Sequence, residues 1–430
     1  MKPKNTPKKP LRIARHVAPI AALAAVLATA CAWQAAPEKH APPALRPLTG
    51  EVCNHIVPQA PITIATSRVE AQNPVLQSDG QSYALAYAIR STPTSHIRLL
   101  TLDKQGVSQG EGTLFSADGQ SRQPAIDGDG SGFYLSWLEG ARLNAIRVNA
   151  PEATPRIYSE NAQSAASGPW GALVWVSQNT LFFRSDSLQP TTGIGVPRKE
   201  PKPLAIAHGP IEDPAIAWTG HFYAIVWSQA MSGGRQIMLQ RVLNDGSLMG
   251  APVRVSGVAG IAQKPAVVWT GWDFAIAWAT AYADEGAFDN RFRIFFAVVP
   301  EKGTVPALTR QLDFRGSADE VSMATSGSEM VLAWVGSSEM GAAIFAQRID
   351  KTGTLLGETI QLNTDDAMCG RPAIAFDRDG YAIAWHEALD DASYRIRFAK
   401  LACTSSAEAL PAPDADTAVD SDNDGLKDVF

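Results

Sequence analysis

The residues of this chain best suited to chemistry are carboxylates, and they gather in two stretches. Near the C-terminus Asp420, Asp422 and Asp424 alternate ahead of Gly425, and Asp428 follows. Hard oxygens repeated around a glycine turn are what Ca²⁺ prefers, so these four aspartates are the candidate metal ligands. The second stretch holds Asp284, Glu285, Asp289, Asp319, Glu320, Asp365, Asp366, Glu387, Asp390 and Asp391, with Arg371 and His386 among them. Such a cluster would bind a metal or a cationic ligand, or supply acid and base groups; solvated surface acids are the plainer reading. Most linear signatures of catalysis are missing: there is no H-E-x-x-H, no Walker A and no G-x-G-x-x-G opening a helix. No reaction is therefore named by a motif.

Cys31 is a different kind of chemical site. A basic stretch, MKPKNTPKKPLRIARH, leads into the apolar VAPIAALAAVLATA, which ends at Cys31 and is too short to span a bilayer comfortably. Residues 1–30 read as a signal peptide. Ala28, Thr29 and Ala30 ahead of the cysteine resemble the lipobox of bacterial lipoproteins, and the resemblance implies that Cys31 is lipidated after cleavage. Cleavage without lipidation is the alternative. Either way the expected location is the cell envelope, with the body in the periplasm or at the cell surface, held to a membrane by the lipid. Six of the 37 Lys and Arg lie in residues 1–30, so the exported part carries 31 basic against 43 acidic residues, a net charge of −12. That balance excludes nucleic acid and anionic lipid surfaces as partners.

The elements that must position these groups recur. DPAIAWTGHFYAIVWSQ, KPAVVWTGWDFAIAWAT, QPAIDGDGSGFYLSWLEG, NPVLQSDGQSYALAYAIR and RPAIAFDRDGYAIAWHE share one grammar. EVSMATSGSEMVLAWVG keeps it without the proline, and SAASGPWGALVWVSQ keeps its second half. Aligned on their aromatic residue, Tyr87, Trp137, Trp175, Trp227, Trp278, Trp334 and Trp385 mark seven units at intervals of 50, 38, 52, 51, 56 and 51 residues. Each unit reads as four short antiparallel strands separated by Gly or Asp-Gly turns, with a proline opening the first strand. Four such strands per repeat make a propeller blade, so the expected fold is all-β: a seven-bladed β-propeller over residues 58–403. The seventh unit stops after its third strand, YRIRFAKLAC, while PITIAT at 61–66 has the fourth-strand pattern. An N-terminal strand is thus expected to complete the last blade in Velcro fashion, hiding two open edges. Such closure lays the end of the third strand beside the start of the fourth, which predicts a Cys53–Cys403 disulfide and leaves Cys369 unpaired.

The proline-opened strand, glycine turn and hydrophobic second strand resemble the WD40-like repeats of TolB-type periplasmic propellers. Residues 31–57, rich in Ala and Pro, read as a tether, and residues 404–430 as an acidic tail. Its aspartates resemble the calcium loops of thrombospondin type 3 repeats. The seven aromatics recur once per buried strand and are read as blade packing. Asn73, Gln123, Asp213, Lys264, Glu320 and Arg371, just before the first strands, are expected around the channel mouth. The ligand-binding candidates on that face are Asp284, Glu285, Asp289, Glu320, Arg371, Glu387, Asp390 and Asp391. Taken together, the sequence points to a monomeric, noncatalytic envelope lipoprotein that presents a propeller face to a protein or glycan partner. The alternative is an extracytoplasmic glycan hydrolase or lyase, metal-dependent if the acidic rim holds an ion.

Overall fold

Period-two alternation broken by glycine turns produces strands throughout the computed structural model. It describes residues 55–404, except 92, 117–118, 129–131, 149–153, 186–199, 208, 258–259, 282–291, 315–316, 339–340, 364–366 and 390–392. All of these belong to the compact unit Ala41–Phe430. Among the described residues there is no α-helix, and none long and apolar enough to cross a membrane.

Strands β1 (His55–Pro58) and β2 (Ile62–Ser67) come before the first four-stranded sheet. That sheet contains β3 (Glu70–Ser78), β4 (Tyr83–Ser91), β5 (Thr94–Leu102) and β6 (Thr113–Phe115). The second contains β7 (Ser121–Gly128), β8 (Phe133–Glu139), β9 (Arg142–Arg147) and β10 (Arg156–Ser159). The third contains β11 (Ser164–Gly168), β12 (Ala172–Ser177), β13 (Thr180–Arg184) and β14 (Lys202–Ile206). Two antiparallel sets follow: β15 (Ile211–Trp218), β16 (Phe222–Met231), β17 (Gly234–Leu243) and β18 (Leu248–Arg254), then β19 (Gly260–Trp269), β20 (Asp273–Ala281), β21 (Phe292–Pro300) and β22 (Leu308–Gln311). A short parallel bridge, Gly234↔Gly260 and Arg235↔Ile261, joins the two sets into one eight-stranded sheet. Gly234 is required there, because at its φ of +133° a Cβ would lie 2.2 Å from the Gly260 carbonyl oxygen. Next come β23 (Ala318–Thr325), β24 (Met330–Ser338), β25 (Gly341–Ile349) and β26 (Leu355–Gln361), and finally β27 (Met368–Phe376), β28 (Gly380–Ala388) and β29 (Tyr394–Thr404).

The last sheet takes its outer strand from the other end of the chain. β2 pairs antiparallel with the first half of β29, from Ile62↔Phe398 to Ser67↔Tyr394, and β1 pairs with the second half, from His55↔Thr404 to Pro58↔Leu401. The first strands β3, β7, β11, β15, β19, β23 and β27 pack each against the next, and β27 packs against β3. Apolar clusters fill every one of these junctions. Leu85, Tyr87 and Leu100 meet Ala382, Ala384 and Phe398 where last sheet joins first, and Val226, Ile237 and Leu239 meet Ile276 and Trp278 where the two linked sets face each other. The aligned aromatics lie in these clusters, with Trp227, Trp278 and Trp385 wholly buried and Tyr87, Trp137 and Trp334 nearly so.

The structure moves one feature of the repeat grammar. The proline does not open the first strand but lies inside it: Pro74 within β3, Pro124 within β7, Pro214 within β15, Pro265 within β19 and Pro372 within β27. At each of these positions the ladder slips, for example between Gln72↔Ala88 and Val75↔Ala86. Two residues of the first strand therefore oppose the one aromatic residue of the second. Proline has no N–H to give a ladder, so an unpaired bulge position accommodates it inside a strand.

Candidate functional site

The residue before each bulge proline is polar and left-handed. Asn73, Gln123, Asp213, Lys264, Glu320 and Arg371 have φ of 55°, 50°, 51°, 50°, 52° and 40°. Non-glycine residues rarely adopt this conformation, at a cost of about 1–3 kcal/mol each, and here it recurs on six of the seven first strands that pack in succession. The bulge supplies the cause: the extra residue leaves the pleat, and its side chain is released from the packed sheet face. In β23 Val321 stands where the others carry proline, yet the ladder slips between Asp319 and Ser322 in the same way. Only β11 differs. Its register is regular from Ser164↔Val176 to Gly168↔Ala172, so the third sheet contributes no bulge residue.

Several ring residues hold their neighbours. The Lys264 backbone N–H donates to Asp213 Oδ2 at 3.1 Å, and the Arg371 N–H donates to Glu320 Oε2 at 2.7 Å. Each carboxylate thus ties its own bulge to the bulge of the next sheet. Lys264 Nζ lies 3.2 Å from Asp319 Oδ2 and 3.0 Å from Glu320 Oε1, while Arg371 Nε stands 3.8 Å from Glu320 Oε1. Burial disfavours the Lys264 ammonium, but Glu320 and Asp319 outweigh it and hold its pKa above the ordinary value. Burial likewise opposes the Glu320 carboxylate, and Lys264 with Arg371 holds its pKa below the usual range. On the remaining arc Asn73 and Gln123 form no side-chain hydrogen bond among the described residues, and Gln123 Oε1 is buried without a donor.

His386 adjoins this ring through its cross-strand partner Gly370, the residue before Arg371. Burial lowers its pKa below 6.5; Glu320 pulls the other way and Arg371 adds to the lowering. Nδ1 is buried with no partner. Away from the ring, Gln120, Glu139, Gly140, Ala141 and Arg142 line an open surface depression at the β8–β9 turn.

Of the residues singled out from sequence, Glu320 and Arg371 are brought together in the ring. Glu387 is not on a loop. It lies in β28, fully buried, accepting a 2.9 Å hydrogen bond from Trp385 Nε1 with Arg395 and Arg397 at 3.3 and 3.6 Å. Residues two apart on a strand share a face, so the Trp-x-Glu spacing turns this carboxylate toward the buried indole and not toward the rim. Cys369, expected ahead of the first strand, lies within β27; its Sγ accepts from Asn363 Nδ2 and donates to the Ala367 carbonyl. Cys403 is near the end of β29, opposite Ile56. Cys31, Cys53, Asp284, Glu285, Asp289, Asp365, Asp366, Asp390, Asp391, Asp420, Asp422, Asp424 and Asp428 lie outside the described residues. The left-handed ring conformation and the Gly370–His386 pairing were missed from sequence, although both break or mark the repeat at fixed positions.

No protein-family model matches the chain, and no curated protein does. Among solved structures the chain is similar to the hydrazine synthase of Kuenenia stuttgartiensis, at 10% identity and a TM-score of 0.50, covering 77% of this chain and 96% of that one. Further matches are Kluyveromyces lactis Hsv2, at 9% identity, TM-score 0.41, 69% and 100% coverage, and the WD40 domain of SCAP from fission yeast, at 7%, 0.40, 80% and 98%. The likeness is one of fold: the chain is a β-propeller.

Proposed function

We propose that this chain is a noncatalytic binding lipoprotein of the cell envelope, a seven-bladed propeller closed by its own N-terminal strand, whose site is the polar ring where the first strands bulge. The observation that carries the reading is the recurrence of left-handed, polar residues on six first strands. The bulge sets the left-handed conformation, and the polar side chain it presents at each of six equivalent positions supports a binding task. The seven apolar junctions support the blade count, and the pairing of β1 and β2 with β29 supports Velcro closure. A Cys53–Cys403 bridge belongs to the same reading, with Cys403 opposite Ile56, three residues on from Cys53. In this reading lipid on Cys31 tethers the propeller through residues 31–57, the acidic rim at Asp284, Glu285, Asp289, Asp390 and Asp391 flanks the ring, and the tail aspartates take Ca²⁺. The partner is an envelope protein or glycan.

The test is capture from envelope extract by the full chain, run beside two variants. One carries Asn73→Ala with Gln123→Ala in the ring; the other replaces Asp284, Glu285, Asp390 and Asp391 by alanine. A partner held by the native chain and lost by the ring variant is the expected result. Equal retention by all three would place binding elsewhere, and turnover of a glycan by the native chain would favour the hydrolase or lyase alternative.

A further inference from the structure

Internal repetition supplies its own comparison set. The residue after the aligned aromatic is Ala88, Leu138, Val176, Ser228, Ala279 and Val335 in the first six units, and His386 in the last. Across the ladder from it, at the residue before the bulge, the other bulged strands carry Gln72, Arg122, Glu212, Gln263 and Asp319, and the last carries Gly370. The two departures compensate each other. A Cβ on Gly370 would lie 2.6 Å from His386 Cε1 and 2.8 Å from Nε2, so the missing side chain is what admits the imidazole. Of the seven units only the last places an imidazole there, beside the row of left-handed polar residues.

We propose that His386, cradled by Gly370 in the last sheet, and Gln123, two sheets further round, form the open hydrogen-bonding arc of the ring, and that this arc takes an uncharged polyol, either a free sugar or the sugar at the end of a glycan. The inference rests on the ring being the binding site. Its chemistry follows from what is already satisfied. Lys264, Asp319, Glu320 and Arg371 are engaged with one another, and Asp213 receives a backbone N–H, so the charges on that arc are largely matched from within. What is left over is neutral: Gln123 Oε1 is buried without a donor, His386 Nδ1 is buried without a partner, and the Asn73 amide stands between their sheets. Hydroxyl groups supply donors without adding charge. The groups that act on the imidazole are Glu320 from β23 and Arg371 from β27, and burial favours the neutral ring, in which one nitrogen accepts and the other donates.

With seven histidines in the chain, ring ¹⁵N spectra of the histidine-labelled full chain are tractable. The probes are glucose, maltotriose and glycerol, with sodium acetate and ethylammonium chloride as charged counterparts. The expected result is a saturable shift of the His386 nitrogens with glucose or maltotriose, and at least tenfold weaker binding in His386→Phe and Gln123→Met, both with unfolding midpoints near that of the native chain. Tighter binding of maltotriose than glucose identifies a chain end; equal binding identifies a free sugar. No shift with any polyol, or a shift with acetate or ethylammonium alone, overturns the inference. If polyols leave His386 untouched while capture from envelope extract still depends on Asn73 and Gln123, only this inference falls; if capture ignores the ring, the functional reading falls with it.

Discussion

The Tyr83 hydroxyl donates a 2.7 Å hydrogen bond to Asp377 Oδ2 across 294 residues of sequence. Asp377 is buried and also receives Lys400 Nζ at 2.7 Å, so one carboxylate joins the first sheet to two segments of the last. Burial and the Asp377 acceptor both push the Tyr83 phenol well above its ordinary pKa. This polar seam lies at the junction where the two ends of the fold meet.

Removing the seam in two ways should have unequal effects. Tyr83→Phe removes one hydrogen bond while Lys400 still serves Asp377, and should cost roughly 1 kcal/mol. Asp377→Ala strands a mostly buried ammonium, and should cost roughly 3–5 kcal/mol. Urea unfolding midpoints check both. Equal losses would mean that the seam is held by packing alone.

Packing and binding residues should separate cleanly. Trp227 is fully buried among the aliphatic strands of its junction, and Trp227→Ala should cost about 3–5 kcal/mol. Gln123→Ala removes a side chain with no partner and should stay within about 0.5 kcal/mol of the native chain. Thermal unfolding of the two variants decides, and a large loss for Gln123→Ala would make the ring a structural device.

Stability should fall in two stages as the solution is acidified. His386 has a folded pKa below its ordinary 6.5, so the unfolded chain takes up a proton first; its contribution is complete above about 6.5 and is lost below it. Glu320 has a folded pKa below its ordinary 4.5, so its contribution is complete above about 4.5 and is lost as pH falls toward the folded value. Melting temperature against pH should show the first stage vanish in His386→Phe. In Lys264→Met the second stage should shrink, since Lys264 is the leading group that favours the Glu320 carboxylate. A native profile that is flat from pH 7 to 5 would contradict the assignment of His386.

If Cys53 bridges Cys403, the closed loop spans roughly 350 residues. An unstrained bridge of that span should add about 3–5 kcal/mol, through the unfolded chain more than through contacts. Cys53→Ser and mild reductant should then lower the midpoint by the same amount, and not additively. No change with either would leave the closure to hydrogen bonds and apolar contact.

Much of this architecture could be read before any coordinates, because a repeat states its own period. The aligned aromatics Trp227, Trp278 and Trp385 mark buried positions, and the strand-like PITIAT before the first unit is the segment that pairs with β29. What could not be read depends on register between strands, which no local spacing reveals. Pro74 looked like the start of a strand because prolines open strands, and the bulge that lets it sit inside one appears only when Ala86 and Ala88 are matched to their partners. Glu387 looked like a rim acid because it follows an aromatic near a loop, but its partners Arg395 and Arg397 come from the neighbouring strand. Gly370 and His386 were within reach: comparing units position by position, instead of seeking their consensus, would have picked out both.

The regular ladder of β11 gives the rim a notch. Six first strands repeat one backbone contour and β11 interrupts it. The backbone symmetry of the ring is thereby broken at one position, an angular origin from which the neutral pair Asn73 and Gln123 and the ionic group of Lys264, Glu320 and Arg371 are each a fixed number of steps away.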